Sequence, residues 1–179
     1  MQRRSLLKKS VFGLAAGLIG TRASQARTFL TGEQAMRVLA GSSSPRKVPV
    51  TLSSAQTKAI KSASGVRVRN KSMQVWKTSS GGWFIIDQVI GKHENIDYAV
   101  ALSSAGKVKG IEVLVYRETY GHEIMNSRWR AQFHGRGSES TLKLDREIKN
   151  IGGATLSCAH ITDGINRLTK TWELVLRHL

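Results

Sequence analysis

Residues Asn150-Ile151-Gly152-Gly153-Ala154-Thr155-Leu156-Ser157 bring two glycines and two hydroxyls together just ahead of a periodic apolar run. Glycines let a backbone approach a ligand closely and take up positive φ. Thr155 and Ser157 fall where the first turn of a helix exposes N–H groups that have no intrahelical partner, an arrangement that binds phosphate. Lys143, Arg146 and Lys149 lie upstream and add positive field. The chemistry on offer is anion binding at a helix start. The same residues also make an ordinary glycine turn followed by a Ser/Thr cap. No G-x-x-x-x-G-K-S/T run is present, which argues against a nucleoside triphosphatase.

Other reactive side chains point nowhere so definite. His93, His122, His134, His160 and His178 show no metal-ligand spacing, and His93-Glu94 lacks the later His of a zinc protease, so no metal site is expected. One cysteine, Cys158, excludes an internal disulfide and any four-cysteine cluster within the chain; it reads as a small buried residue.

The elements that must position the glycine loop follow from periodicity. Ile161, Ile165, Leu168, Trp172 and Val175 recur at helical spacing, predicting a helix from near Thr155–Ser157 to close to the C-terminus. Upstream, Met73 to Lys77 and Trp83 to Val89 flank the loop Thr78-Ser79-Ser80-Gly81-Gly82. Tyr98, Val100 and Leu102 alternate, and Val108, Ile111, Val113 and Val115 follow a Ser-Gly turn. These read as a meandering antiparallel sheet. Thr31 with Gln34 and Ser53 with Gln56 mark two short helix starts, the second stopped by Gly65. Gly41 to Pro49 reads as a break, and Trp129, Ala131 and Phe133 as a short strand or helix turn. The fold class is α+β: an antiparallel sheet packed with a few helices.

Residues 150–168, NIGGATLSCAHITDGINRL, resemble the acceptor segment of the FMN-binding domain family. That family includes the C subunit of the sodium-pumping NADH:quinone reductase and the G subunit of the Rnf complex. The stretches Gly91-Lys92-His93-Glu94, Gly110-Ile111-Glu112-Val113, Tyr116 to Ile124, Trp129 to Gly135 and Thr162-Asp163-Gly164-Ile165 are also similar to small exported members. The resemblance covers residues 66–175 and departs from the family at Lys149, where an acidic residue is common, and at Gly152, where Ser or Thr is usual. It implies an FMN-binding-domain-like fold and covalent FMN. The bond is a phosphoester to Thr155, made outside the cytoplasm by a separate flavin transferase. It further implies Gly152, Gly153, Ala154, Leu156 and Ser157 around the phosphate. A flavin ring would need an apolar or aromatic wall and a few polar contacts, for which Tyr116, Glu118, Tyr120, Glu123 and Leu156 are the candidates. Glu118 and Glu123 are expected to face one cleft across a glycine bend, or else to pair with Arg117, Arg128 or Arg130.

The chain has 179 residues, one domain with an extension. Residues 1–26 combine Arg3, Arg4, Lys8 and Lys9, an apolar run from Val11 to Gly20, and small residues to Ala26. This is the order of an export signal, similar to the twin-arginine type. Cleavage would remove five positive charges and no acidic residue, lowering the net charge from +16 to +11. The expected organisation is a signal at 1–26, a helical segment at 27–65 packing on the domain, and an FMN-binding domain at 66–179. The function expected is an exported, periplasmic electron carrier, soluble or peripherally associated with a membrane. Its partners would be the flavin transferase and a membrane or haem redox protein. Two other readings stand beside it: a basic module for an anionic polymer or membrane surface, and a flavin-free relative of the domain. The positive residues read as scattered, and together with the export signal this argues against nucleic acid.

Overall fold

The structure, a computed structural model, describes residues 27–41 and 45–179. The export signal expected at 1–26 lies outside the described residues. Strand β1 (Arg27–Thr28) leads into helix α1 (Gly32–Ala40), followed by β2 (Arg46–Thr51), α2 (Ser54–Ser64), β3 (Ser72–Lys77), β4 (Trp83–Ile90), β5 (Asn95–Leu102) and β6 (Val108–Tyr116). The short helix α3 (Ser127–Arg130) and the long helix α4 (Thr155–Leu174) complete the chain. The strands form one antiparallel sheet in the order β1-β6-β5-β4-β3-β2. It is packed with helices, as the α+β reading expects.

Both faces of the sheet are covered. Trp83, Ile85 and Val89 of β4, with Tyr98, Val100 and Leu102 of β5, pack with Ile161, Ile165 and Leu168 of α4. Phe84 and Ala99 face the other way, onto Ala35 of α1. Two covered faces explain why these strands read as nearly continuous apolar runs. Helix α2 packs against α4. Both N-terminal helices start with complete capping boxes, Thr31 with Gln34 and Ser53 with Gln56. Gly65 closes α2 in the left-handed region, φ 74°.

Residues 27–65 are not only helical. They supply both edge strands, and the break expected from Gly41 to Pro49 contains the start of β2, which pairs with the whole of β3. Pro45 and Pro49 hid it, yet an edge strand tolerates a proline whose missing N–H faces outward. Trp129 to Phe133 settle as α3 followed by a 3-10 turn, not a strand.

One irregularity matters for the site. Asp97 pairs with Val115 but Tyr98 with Val113, so Leu114 is an extra residue in β6. The side-chain alternation shifts there: Val113 and Tyr116 point to the α4 side, while Leu114 and Val115 point to the α1 side.

Candidate functional site at the start of α4

The loop before α4 is held from below. The indole N–H of Trp129 donates to the Lys149 carbonyl at 2.8 Å, and the Lys149 N–H donates to Gln132 Oε1 at 2.8 Å. Asn166 of α4 grips Leu142 at both its N–H and its carbonyl, each at 2.8 Å. These contacts tie residues 142–149 to the body of the protein. The chain then turns through Gly153 at φ 84°, and the Ala154 N–H closes the turn onto the Ile151 carbonyl at 3.0 Å. A side chain at Gly152 or Gly153 would meet nothing within 4 Å, so the loop borders open space.

Thr155 is exposed and begins α4. Its Oγ1 accepts from Asn150 Nδ2 at 3.1 Å, which leaves the hydroxyl proton outward. Asn150 was absent from the residues singled out in the sequence, because an Asn before two glycines reads simply as a turn former.

The Ser/Thr cap expected here is not made. Ala154 is the N-cap, with φ −118° and ψ 15°, and no side chain caps the helix. Thr31 and Ser53 cap their helices with ψ near 160°, the extended geometry a side-chain cap needs. Cys158 makes the first intrahelical bond, to the Ala154 carbonyl at 2.9 Å, so the N–H groups of Thr155, Leu156 and Ser157 have no partner within the helix.

The Ser157 hydroxyl is engaged elsewhere. Tyr116 Oη donates its one proton to the Tyr120 carbonyl, so the 3.1 Å contact between Tyr116 Oη and Ser157 Oγ must be donated by Ser157. Burial holds the Tyr116 phenol above its ordinary pKa, against the Ser157 bond, which lowers it. Tyr116 is therefore a buried brace. Tyr116 is 1% exposed, its ring packed in the core. The brace gathers what is exposed: it fixes the backbone of Tyr120, whose side chain is 80% exposed, close to the turn bearing Leu156, 47% exposed. Gly121, at φ 87°, lets this segment approach. A Cβ there would lie 2.6 Å from Tyr116 Oη and 3.1 Å from Ser157 Oγ.

The two glutamates both act on Tyr116, whose pKa each raises, but they differ in what they hold. Glu118 Oε1 accepts from the N–H groups of His93 at 2.5 Å and Glu94 at 2.9 Å and so holds the 91–94 turn. Burial raises its pKa, but the backbone N–H groups of Glu94, His93 and Lys92 outweigh it and keep the carboxyl below the ordinary range. Gly91 makes room, since a Cβ there would lie 2.6 Å from Glu118 Oε1. Glu123 is exposed, in the 3-10 turn His122–Met125, and joins no ion pair among the described residues. Of the three arginines offered as partners, Arg117 pairs with Asp97 and Arg130 with Glu112, and Arg128 joins no ion pair among the described residues.

Cys158 is fully buried and burial pushes its thiol pKa up, which makes it inert as a nucleophile. Among the described residues no group of three or more His, Cys, Asp or Glu gathers as metal ligands would. A cavity of about 620 Å³ opens where β3 stops pairing with β4, away from the Thr155 loop. Its charged groups are largely spent on one another: Arg167 binds Asp87, which also accepts from Tyr98 Oη at 2.6 Å, and Asp97 binds Arg117.

The sequence model of the FMN-binding domain matches residues 91–170, which take in the Glu118 turn, the Tyr116 brace and the Thr155 loop. An FMN-binding domain is therefore present in this part of the chain, and FMN is its expected cofactor. No curated protein matches the chain. The loop fits such a group: Thr155 is exposed, the N–H groups of Thr155, Leu156 and Ser157 have no partner within the helix, and both glycines border open space.

Proposed function

We propose that Thr155 carries FMN through a phosphoester bond and that the protein is an exported, periplasmic one-electron carrier. The observation that carries this reading is an exposed threonine inside the FMN-binding match, at the one long helix start among the described residues that no side chain caps. A threonine hydroxyl is a poor nucleophile at neutral pH. Attachment therefore needs a flavin transferase presenting the FMN phosphate in an anhydride. The Thr155 Oγ–phosphorus bond forms, the anhydride P–O bond breaks, and the hydroxyl proton leaves to the transferase. Asn150 steadies the Thr155 oxygen through its lone pair and leaves that proton accessible.

Once bound, FMN supplies reversible one-electron chemistry. The residues of the chain do the rest. The N–H groups of Thr155, Leu156 and Ser157 and the helix dipole hold the phosphate charge. Leu156 and Tyr120 offer apolar surface to the ring. Glu118 keeps the 91–94 turn in place, and Glu123 adds negative charge nearby. A covalent tether suits a carrier that must keep its cofactor in a dilute exterior compartment. A membrane-bound or haem protein is the fitting redox partner.

Intact mass spectrometry of the protein exported in a host with a flavin transferase tests the reading. Wild type should gain the mass of FMN less one water, and Thr155→Ala should not. An unmodified wild type under those conditions would refute it.

A further inference from the structure

The positive charge of this protein is not scattered. From Gln34 to Ile86 there are nine Lys and Arg and no Asp or Glu, whereas from Asp87 to Leu179 thirteen basic residues face eleven acidic ones. The fold gathers most of the acid-free stretch at one edge of the sheet. β2 and β3 pair directly and α2 crosses between them. The two ends of that crossover meet, with the Leu52 N–H donating to the Lys71 carbonyl at 2.9 Å and Lys71 Nζ to Ser54 Oγ at 3.1 Å. Arg46, Lys47, Lys58, Lys61, Arg67, Arg69 and Lys71 are all exposed, and none is in an ion pair among the described residues.

We infer that this β2–α2 edge is a docking surface for the anionic headgroups of a phospholipid bilayer. Charge complementarity requires an anionic partner, and the composition of the surface decides which kind. A specific protein interface is built on apolar and aromatic anchors that become fully desolvated. Among the described residues the exposed large apolar side chains are Phe29, Val38, Ile90, Tyr120, Leu156, Leu174 and Leu179, and none lies in β2, α2 or β3. Between the cations the surface holds Ser53, Ser54, Ala55, Ser62 and Ala63, all exposed and all small. Lys47 lies over the Trp76 ring at 5.6 Å on the α1 side of the sheet, so the cationic face is mainly that of α2 and the segment after it. Without anchors it suits a diffuse plane of negative charge, to which each basic residue near the surface adds roughly 1 kcal/mol. Strand spacing puts β2 about 19 Å from β6, whose Tyr116 braces the start of α4. Docking through β2 and α2 therefore leaves the Thr155 loop free for a redox partner. The inference does not depend on flavin attachment.

The test is co-sedimentation of the exported protein with phosphatidylcholine vesicles and with vesicles holding about one third phosphatidylglycerol. Wild type should bind only the anionic vesicles and should be released at high salt, as electrostatic attachment requires. The variant Lys58→Gln/Lys61→Gln/Arg67→Gln/Arg69→Gln should bind at least about 30-fold more weakly. The control Lys109→Gln/Arg128→Gln/Lys143→Gln/Arg146→Gln loses the same charge from exposed positions elsewhere and should bind within about threefold of wild type. Circular dichroism melts confirm that both variants are folded. Equal weakening by the two variants would show a response to net charge alone and overturn the proposal. So would a wild type that ignores anionic vesicles at low salt, or one that binds an acidic protein and not the vesicles.

Discussion

Helices α2 and α4 begin in opposite ways. At α2, Ser53 sits in extended backbone and its hydroxyl accepts from the Gln56 N–H while the Gln56 side chain returns to the Ser53 N–H. At α4, two hydroxyls are at hand and neither caps. Thr155 turns outward to Asn150, and Ser157 is drawn inward to Tyr116. A capped start has spent its free N–H groups on its own chain; the α4 start has kept them. Glu118 adds a third case, a carboxylate seated on the N–H groups of the 91–94 turn. Among the described residues such groups meet the protein's own side-chain oxygens at the starts of α1, α2 and α3 and at the 91–94 turn, whereas no side chain caps the start of α4.

That contrast can be broken. Its strongest test lies at Gly121, which holds a positive φ beside the Tyr116–Ser157 contact. Gly121→Ala should cost about 2–3 kcal/mol of stability in urea unfolding, by backbone strain and by forcing Tyr116 from the helix start. A loss below about 0.5 kcal/mol would mean that the brace does not set the loop.

The next test compares the two helix starts directly. Ser53→Ala should lose about 1 kcal/mol, the ordinary worth of an N-cap, while Thr155→Ala in the flavin-free protein should change stability by less than about 0.5 kcal/mol. Equal losses in thermal melts would show that Thr155 caps α4 after all and would remove the contrast.

Glu118 supplies the smallest effect and a pH signature. Its folded pKa lies below the ordinary carboxylate value, so its stabilisation is complete above that ordinary value and is lost as pH falls through the lowered one. Glu118→Gln should lower the melting temperature slightly at neutral pH. Between about pH 5 and pH 2 it should fall less steeply with acid than wild type. Parallel curves for the two proteins would rule out a special role for this carboxylate.

Much of the framework was legible along the chain because the signals are local. The capping boxes at Thr31 and Ser53, the left-handed stop at Gly65, the runs of β3 to β6 and the stripe of α4 all follow from neighbours within one or two turns. Residues 150–155 were legible too, since glycines and a threonine before a helix have meaning wherever they occur. β2 was not, because two prolines mask a strand that depends on β3 for its pairing. Nor was the burial of Ser157 and Thr162 on α4: the helix is covered on more than one side, and Thr162 meets that burial by donating to the Cys158 carbonyl at 2.8 Å.

The sequence by itself determined the class of fold, the position of the glycine–threonine loop at a helix start, and the separation of an acid-free basic stretch from a nearly neutral one. Tertiary structure decided three things. The extra residue Leu114 turns Tyr116 toward α4, where its hydroxyl takes Ser157 away from capping. The backbone of Ala154, held by the turn onto Ile151, keeps the helix start uncapped. The pairing of β2 with β3 collects charges distant in sequence on one edge. The first and the third rest on contacts between residues far apart in the chain, and the second on a turn whose approach is anchored through Lys149 to Trp129 and Gln132; no local pattern of residue types records which distant partner a hydroxyl or a strand will find.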